Sequence, residues 1–121
     1  MFPASLPASQ KVRAVFAIAP ALGPAFCRAS LEKISIPVRI VAGQSDVNVP
    51  IATSAKYFAA HIPRAELTIL PGGAGHYVFL DSCTVADRES RAMLCRDAVE
   101  RNDVHAETTA QAIDLFRRTL E

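Results

Sequence analysis

Two residues near the middle of the chain have the types and the setting for proton transfer. Asp46 lies in Gly43-Gln44-Ser45-Asp46-Val47-Asn48-Val49-Pro50, and His76 lies in Pro71-Gly72-Gly73-Ala74-Gly75-His76-Tyr77-Val78-Phe79-Leu80. A neutral imidazole can take a proton from a nucleophile. A carboxylate on its other ring nitrogen fixes the tautomer and stabilises the imidazolium that forms. Taken singly, an aspartate after a glycine is ordinary turn chemistry, and a histidine among glycines is an ordinary loop residue. What joins the two is the kind of segment that precedes each of them.

Asp46 follows Pro37-Val38-Arg39-Ile40-Val41-Ala42-Gly43, and His76 follows Glu66-Leu67-Thr68-Ile69-Leu70. Both are short, apolar runs of the kind that forms strands buried on both faces. An earlier run, Val12 to Ala19, has the same character and ends at Pro20. Helical patterns separate them. Residues 27–34 suit a short helix. Residues 50–62 suit a longer one, with Pro50 at its start, an apolar face of Ile51, Ala55, Phe58, Ala59 and Ile62, and Pro63 at its end. Residues 103–120 form the last helix, capped by Asn102 or Asp103, with Val104, Ala112, Ile113, Phe116 and Leu120 as its apolar face. The alternation predicts an α/β fold of about three parallel strands with flanking helices and right-handed crossovers. In such sheets ligands gather beyond the carboxyl ends of the strands. Adjacent strands lie about 4.8 Å apart, so consecutive loops can bring Asp46 and His76 into hydrogen-bond reach.

The remaining segments are plainer. Residues 1–10 read as a loop lead-in without a charged n-region or a continuous apolar stretch, so they do not read as a signal peptide. Residues 81–102 are a charged insertion with a short helix near 86–95. Half of the 121 residues are hydrophobic, 21% are charged and the net charge is +1. That is the composition of one globular domain or part of one, 1–121. No basic stripe suggests nucleic acid, and no apolar run approaches the roughly 18 residues that span a bilayer. Three cysteines, Cys27, Cys83 and Cys95, do not describe a disulfide scaffold. One pair with a free thiol and three separate thiols both fit the count.

The order strand–Gly-x-x-Asp-x-x-Val-Pro–helix–strand–Pro-Gly-x-x-Gly-His resembles the C-terminal half of the α/β-hydrolase fold, across roughly residues 11–120. The resemblance makes Asp46 the catalytic acid and His76 the catalytic histidine of a triad ordered Ser, acid, His. Val12 to Ala21 then resembles the sixth strand of that fold. The stretch Gly75-His76-Tyr77-x-Phe79-Leu80, with Cys83 and Cys95, is more narrowly similar to dienelactone-hydrolase-like esterases. The nucleophile elbow of the family, Gly-x-Ser-x-Gly or its cysteine version, is not in the sequence: Gly43-Gln44-Ser45-Asp46 is no elbow, and Cys27 has no elbow context.

The resemblance implies a hydrolase of carboxylic esters, acting on a small-molecule ester once an N-terminal half supplies the serine, and inactive alone. It implies no metal or organic cofactor, and neither nucleic acid nor membrane as partner. It includes a Cys83–Cys95 disulfide, against the alternative of unrelated thiols. Such a bridge would add about 3 kcal/mol by chain entropy and would favour a periplasmic or secreted parent enzyme. A different class of function stays open. Strand 12–19 would leave an apolar sheet edge unpaired, which invites a homodimer or a split partner, and the chain would then be a non-catalytic interaction module.

Overall fold

The computed structural model describes residues 11–121; the expected lead-in at 1–10 lies outside the described residues. Three strands form one sheet in the order β1-β2-β3, all parallel: β1 (Val15–Ile18), β2 (Val38–Gly43) and β3 (Ala65–Leu70). Val38 is the shared register point, opposite Val15 on one side and Ala65 on the other. Successive side chains on a strand face opposite ways, and β2 divides accordingly. Val38, Ile40 and Ala42 join Leu31, Ala55, Phe58 and Ile62 in one core. Val41 joins Leu70, Ala74, Val78 and Val104 in the other.

Helices α1 (Arg28–Leu31) and α2 (Ala55–His61) cover the first face. Helix α4 (Arg101–Leu120) covers the second. Between β3 and α4 the chain makes a 3-10 turn at His76–Phe79, helix α3 (Val85–Ser90) and a second 3-10 turn at Ala92–Cys95. Thr84 and Asp87 cap α3 reciprocally, and the bonds from the Thr84 backbone and side chain hold the Asp87 carboxyl below its ordinary value.

Several expectations need correction. The helix expected over 50–62 is two pieces, a 3-10 turn at Ile51–Thr53 and α2, because buried Ser54 takes non-helical dihedrals (φ −130°, ψ −92°). Its expected apolar face nonetheless packs: Ala55, Phe58 and Ile62 are buried, with Ile51 and Ala59 against them. The helix near 86–95 is likewise interrupted, at Arg91. The last helix begins at Arg101 rather than 103, and neither Asn102 nor Asp103 caps it, since both are already inside its first turn and Glu100 is the cap position. Strand 12–19 is shorter than expected and is not buried on both faces. Val15 and Ile18 remain 36% and 47% exposed, because β1 pairs only with β2.

The buried face of α4 also differs. Arg101, Val104, Thr108 and Leu115 are buried, whereas Ile113, Phe116 and Leu120 are exposed. The sheet face beneath α4 is partly polar, and the helix answers it in kind. Arg39 of β2 pairs with Glu66 and Asp114, and Thr68 of β3 donates to the side-chain oxygen of Gln111 at 2.9 Å.

Candidate active site

Asp46 and His76 come together at the carboxyl ends of β2 and β3. The chain leaves β2 at Gly43, and the backbone of Ala74 lies directly over it: a Cβ built on Gly43 would sit 2.2 Å from the Ala74 carbonyl oxygen. Only glycine allows that approach. The two loops are stitched there by backbone bonds, Gln44 N–H to Leu70 O at 2.8 Å and Ser45 N–H to Ala74 O at 2.9 Å. The loop after β3 turns through Gly72 and Gly73, with φ of +72° and +85°. These conformations favour glycine.

The stitched loops fix the acid. One Asp46 oxygen, Oδ1, accepts the backbone N–H groups of Asn48 at 3.0 Å and Val49 at 2.7 Å. The other, Oδ2, lies 2.8 Å from His76 Nδ1. The Asp46 side chain is 1% exposed and that of His76 32%. A buried carboxylate is costly unless its oxygens are bonded, and here both are. Charge-assisted bonds of this kind are stronger than neutral ones. With Nδ1 toward the carboxylate, the imidazole carries its proton there when neutral and keeps Nε2 as the acceptor. Nε2 has no hydrogen-bond partner among the described residues.

The segment that carries His76 is held from below and from the side. Val78, two residues on, is fully buried, and its carbonyl meets Nε2 of His105 on α4 at 2.9 Å. His105, partly buried, therefore ties α4 to the histidine turn. Tyr77 accepts a bond from Asn48 Nδ2 at 2.7 Å, a second link between the two loops.

Cys83 and Cys95 are joined by a disulfide, while Cys27 is free and exposed. The bridge closes residues 83–95 into a loop within the segment 81–101, which forms a strap beside the histidine loop. The strap lies against the glycines: Cβ atoms built on Gly73 and Gly75 would meet Ala98 Cβ at 3.0 Å and Asp97 Oδ1 at 3.1 Å. Arg101 anchors the strap. Its guanidinium donates from Nε (3.1 Å) and Nη2 (2.8 Å) to Asp97 Oδ2, from Nη1 to Asp81 O at 2.6 Å, and to Leu94 O. Both members of the Asp97–Arg101 pair are buried, at 10% and 8% exposure. Sequence reasoning missed this anchor. Its signals were an arginine at the start of the last helix and an aspartate four residues before it, the spacing of a helical ion pair.

Among the described residues, no group of three or more His, Cys, Asp or Glu side chains is placed to hold a metal ion. No helix there is long and apolar enough to cross a membrane.

No protein-family profile and no curated protein matches the sequence. Among solved structures, the chain is similar to a predicted CIB-like hydrolase from Thermoplasma acidophilum. The identity is 29% and the TM-score 0.50, over 69% of this chain and 37% of the other. The chain thus corresponds to only 37% of that neighbour's length. The neighbour has an α/β-hydrolase fold, and the three parallel strands with flanking helices match part of it.

Proposed function

We propose that this chain supplies the acid and the histidine of a serine-type carboxylic-ester hydrolase of the dienelactone-hydrolase-like kind. The observation that carries the reading is the 2.8 Å contact between a buried Asp46 Oδ2 and the Nδ1 of a half-exposed His76. Support comes also from the hydrolase neighbour. In this reading, Nε2 of His76 takes the proton of a serine hydroxyl as that oxygen attacks the ester carbonyl. Asp46 stabilises the imidazolium without itself becoming protonated. The imidazolium then gives the proton to the leaving alcohol, and a water repeats the cycle on the acyl-enzyme. Backbone N–H groups outside this chain would stabilise the oxyanion.

The sequence holds no Gly-x-Ser-x-Gly elbow, so the nucleophile belongs to another segment or another polypeptide. Purified residues 1–121 are expected to give no His76-dependent turnover of p-nitrophenyl acetate. Co-expressed with an elbow-bearing segment encoded immediately upstream, they are expected to give turnover that His76→Ala removes. Asp46→Asn should lower it by on the order of 10⁴-fold. Turnover indifferent to His76→Ala would overturn the reading.

A second reading has its own observation. β1 is an edge strand with Val15 and Ile18 exposed, and Arg13 reaches the Thr119 and Leu120 carbonyls of α4 at 2.9 and 3.5 Å. The start of β1 is thereby tied to the C-terminal end of α4, where Leu120 is exposed. An apolar edge of this kind suits pairing with a second copy or with the polypeptide that carries the nucleophile. A monomer by light scattering at high concentration, unchanged by Val15→Lys, would remove the self-pairing form.

A further inference from the structure

The loop closed by the disulfide has no core of its own. Neither α3 nor the 3-10 turn at Ala92–Cys95 contains a buried residue, and Val85 and Met93 are exposed. A segment with so few buried contacts opens locally at little cost unless something else ties it down. Two ties do so, and they bracket the same span. One is covalent, Cys83 to Cys95. The other is the Arg101 guanidinium. It donates to the carbonyl of Asp81, two residues before Cys83, and to that of Leu94, one residue before Cys95.

The two ties differ in permanence. A disulfide is reversible wherever a thiolate can reach it. Both cysteines are half-buried, and both line two surface cavities of the strap, of about 100 and 260 Å³. A small thiol therefore has a route to the sulfurs without unfolding of the chain. What the bridge restrains also reaches the site. Just past Cys95, Asp97 lies against Gly75 and Ala98 against Gly73. Gly75 in turn precedes His76, whose Nδ1 meets Asp46.

We propose that Cys83–Cys95 is a thiol-exchangeable switch on the strap. Oxidised, it keeps the cover over the histidine loop closed and so holds His76 on Asp46. Reduced, it leaves the strap on Arg101 alone, and the histidine loop loses part of its cover. The Arg101 bonds keep the two thiols near each other, so the bridge re-forms. A thiolate R–S⁻ attacks one bridge sulfur and forms a mixed disulfide as the S–S bond breaks. The other cysteine leaves as a thiolate and takes a proton from solvent. A second R–S⁻ attacks the R sulfur of the mixed disulfide, releasing R–S–S–R and the second cysteine thiolate. The two electrons gained by the bridge come from the two thiols oxidised to one disulfide. The switch acts on the Asp46–His76 contact and does not depend on what that pair catalyses.

The test uses the intact ¹⁵N-labelled chain with Cys27→Ser, so that only the strap cysteines respond, and mercaptoethanol and its disulfide as probes. Under native conditions, alkylation and mass measurement are expected to count two thiols after mercaptoethanol and none after return to its disulfide. In the reduced chain the amides of 72–76 should exchange at least about tenfold faster. The low-field Nδ1–H resonance of His76 should weaken, while the amides of β2 keep their protection. Re-oxidation should restore both signals. Replacing Cys83 and Cys95 together by serine should give the reduced behaviour with or without thiol. The reduced parent carries the comparison by itself, whether or not that variant folds. A bridge that opens only in denaturant, or 72–76 exchange and a resonance unchanged by reduction, would overturn the switch. So would equal loss of protection in β2, or two mixed disulfides in place of the re-formed bridge. In the completed enzyme, a contact that follows the bridge without ester turnover keeps the switch and removes the hydrolase reading. Turnover indifferent to reduction does the reverse.

Discussion

The carbonyl oxygen of Ala74 occupies the place that a side chain at Gly43 would need, with only 2.2 Å between that oxygen and a Cβ built on the glycine. The contact is the point where the loop of the acid and the loop of the histidine are locked together. The obstacle is backbone, not a flexible side chain, so it cannot swing away. Gly43→Ala should therefore force the loops apart. Overpacking of this kind costs about 1–3 kcal/mol, read as a lower midpoint in urea unfolding. It should also weaken the low-field Nδ1–H proton resonance that reports the His76–Asp46 bond. A variant with an unchanged midpoint and an unchanged resonance would show that the loops hold their places independently.

The disulfide makes a simple chemical prediction. Under denaturing conditions the chain should present one free thiol without reductant, that of Cys27, and three after reduction. Replacing Cys83 and Cys95 together by serine should cost about 2–3 kcal/mol in the chain-entropy account of a loop this short. Three thiols without reductant would contradict the bridge.

How far the molecule was legible in its sequence depended on what each element packs against. The strands and the acid–histidine pairing were readable, because β2 and β3 are apolar runs followed by glycine turns, and parallel topology sends both turns to one end of the sheet. The buried face of α4 was not. An apolar stripe through Ile113 and Phe116 assumes an apolar partner surface, yet Arg39 and Thr68 lie beneath the helix and recruit Asp114 and Gln111. The anchor at Arg101 was hidden for the same reason: a buried arginine is recognisable only through the carbonyls and carboxylate that surround it.

That difference has a measurable consequence. Leu115 is 3% exposed and Ile113 46%, although the two lie on the same helix and differ little in size. Leu115→Ala should cost about 2–5 kcal/mol, as a truncated core leucine does. Ile113→Ser should stay within about 0.5 kcal/mol, as an exposed surface substitution does. Chemical denaturation of the two variants side by side checks the orientation of α4. The reverse order of destabilisation would mean that the helix is rotated and that Ile113, Phe116 and Leu120 face the sheet.

Arg101 should be the most sensitive charged residue of the strap. Removing one member of a buried ion pair leaves the other buried and uncompensated, at a cost of about 3–5 kcal/mol. Arg101→Met strips Asp97 of its partner and leaves the carbonyls of Asp81 and Leu94 without their donor. Adding Asp97→Asn to Arg101→Met removes the orphaned charge and should restore part of the loss. The pair thus separates the cost of the stranded carboxylate from the cost of the lost carbonyl contacts. Hydrogen exchange locates the effect: the backbone amides of 72–76, which lie under Asp97 and Ala98, should exchange faster in Arg101→Met, while those of β2 keep their protection. Equal acceleration across β2 would show that the strap is part of the global core rather than a buttress for the histidine loop.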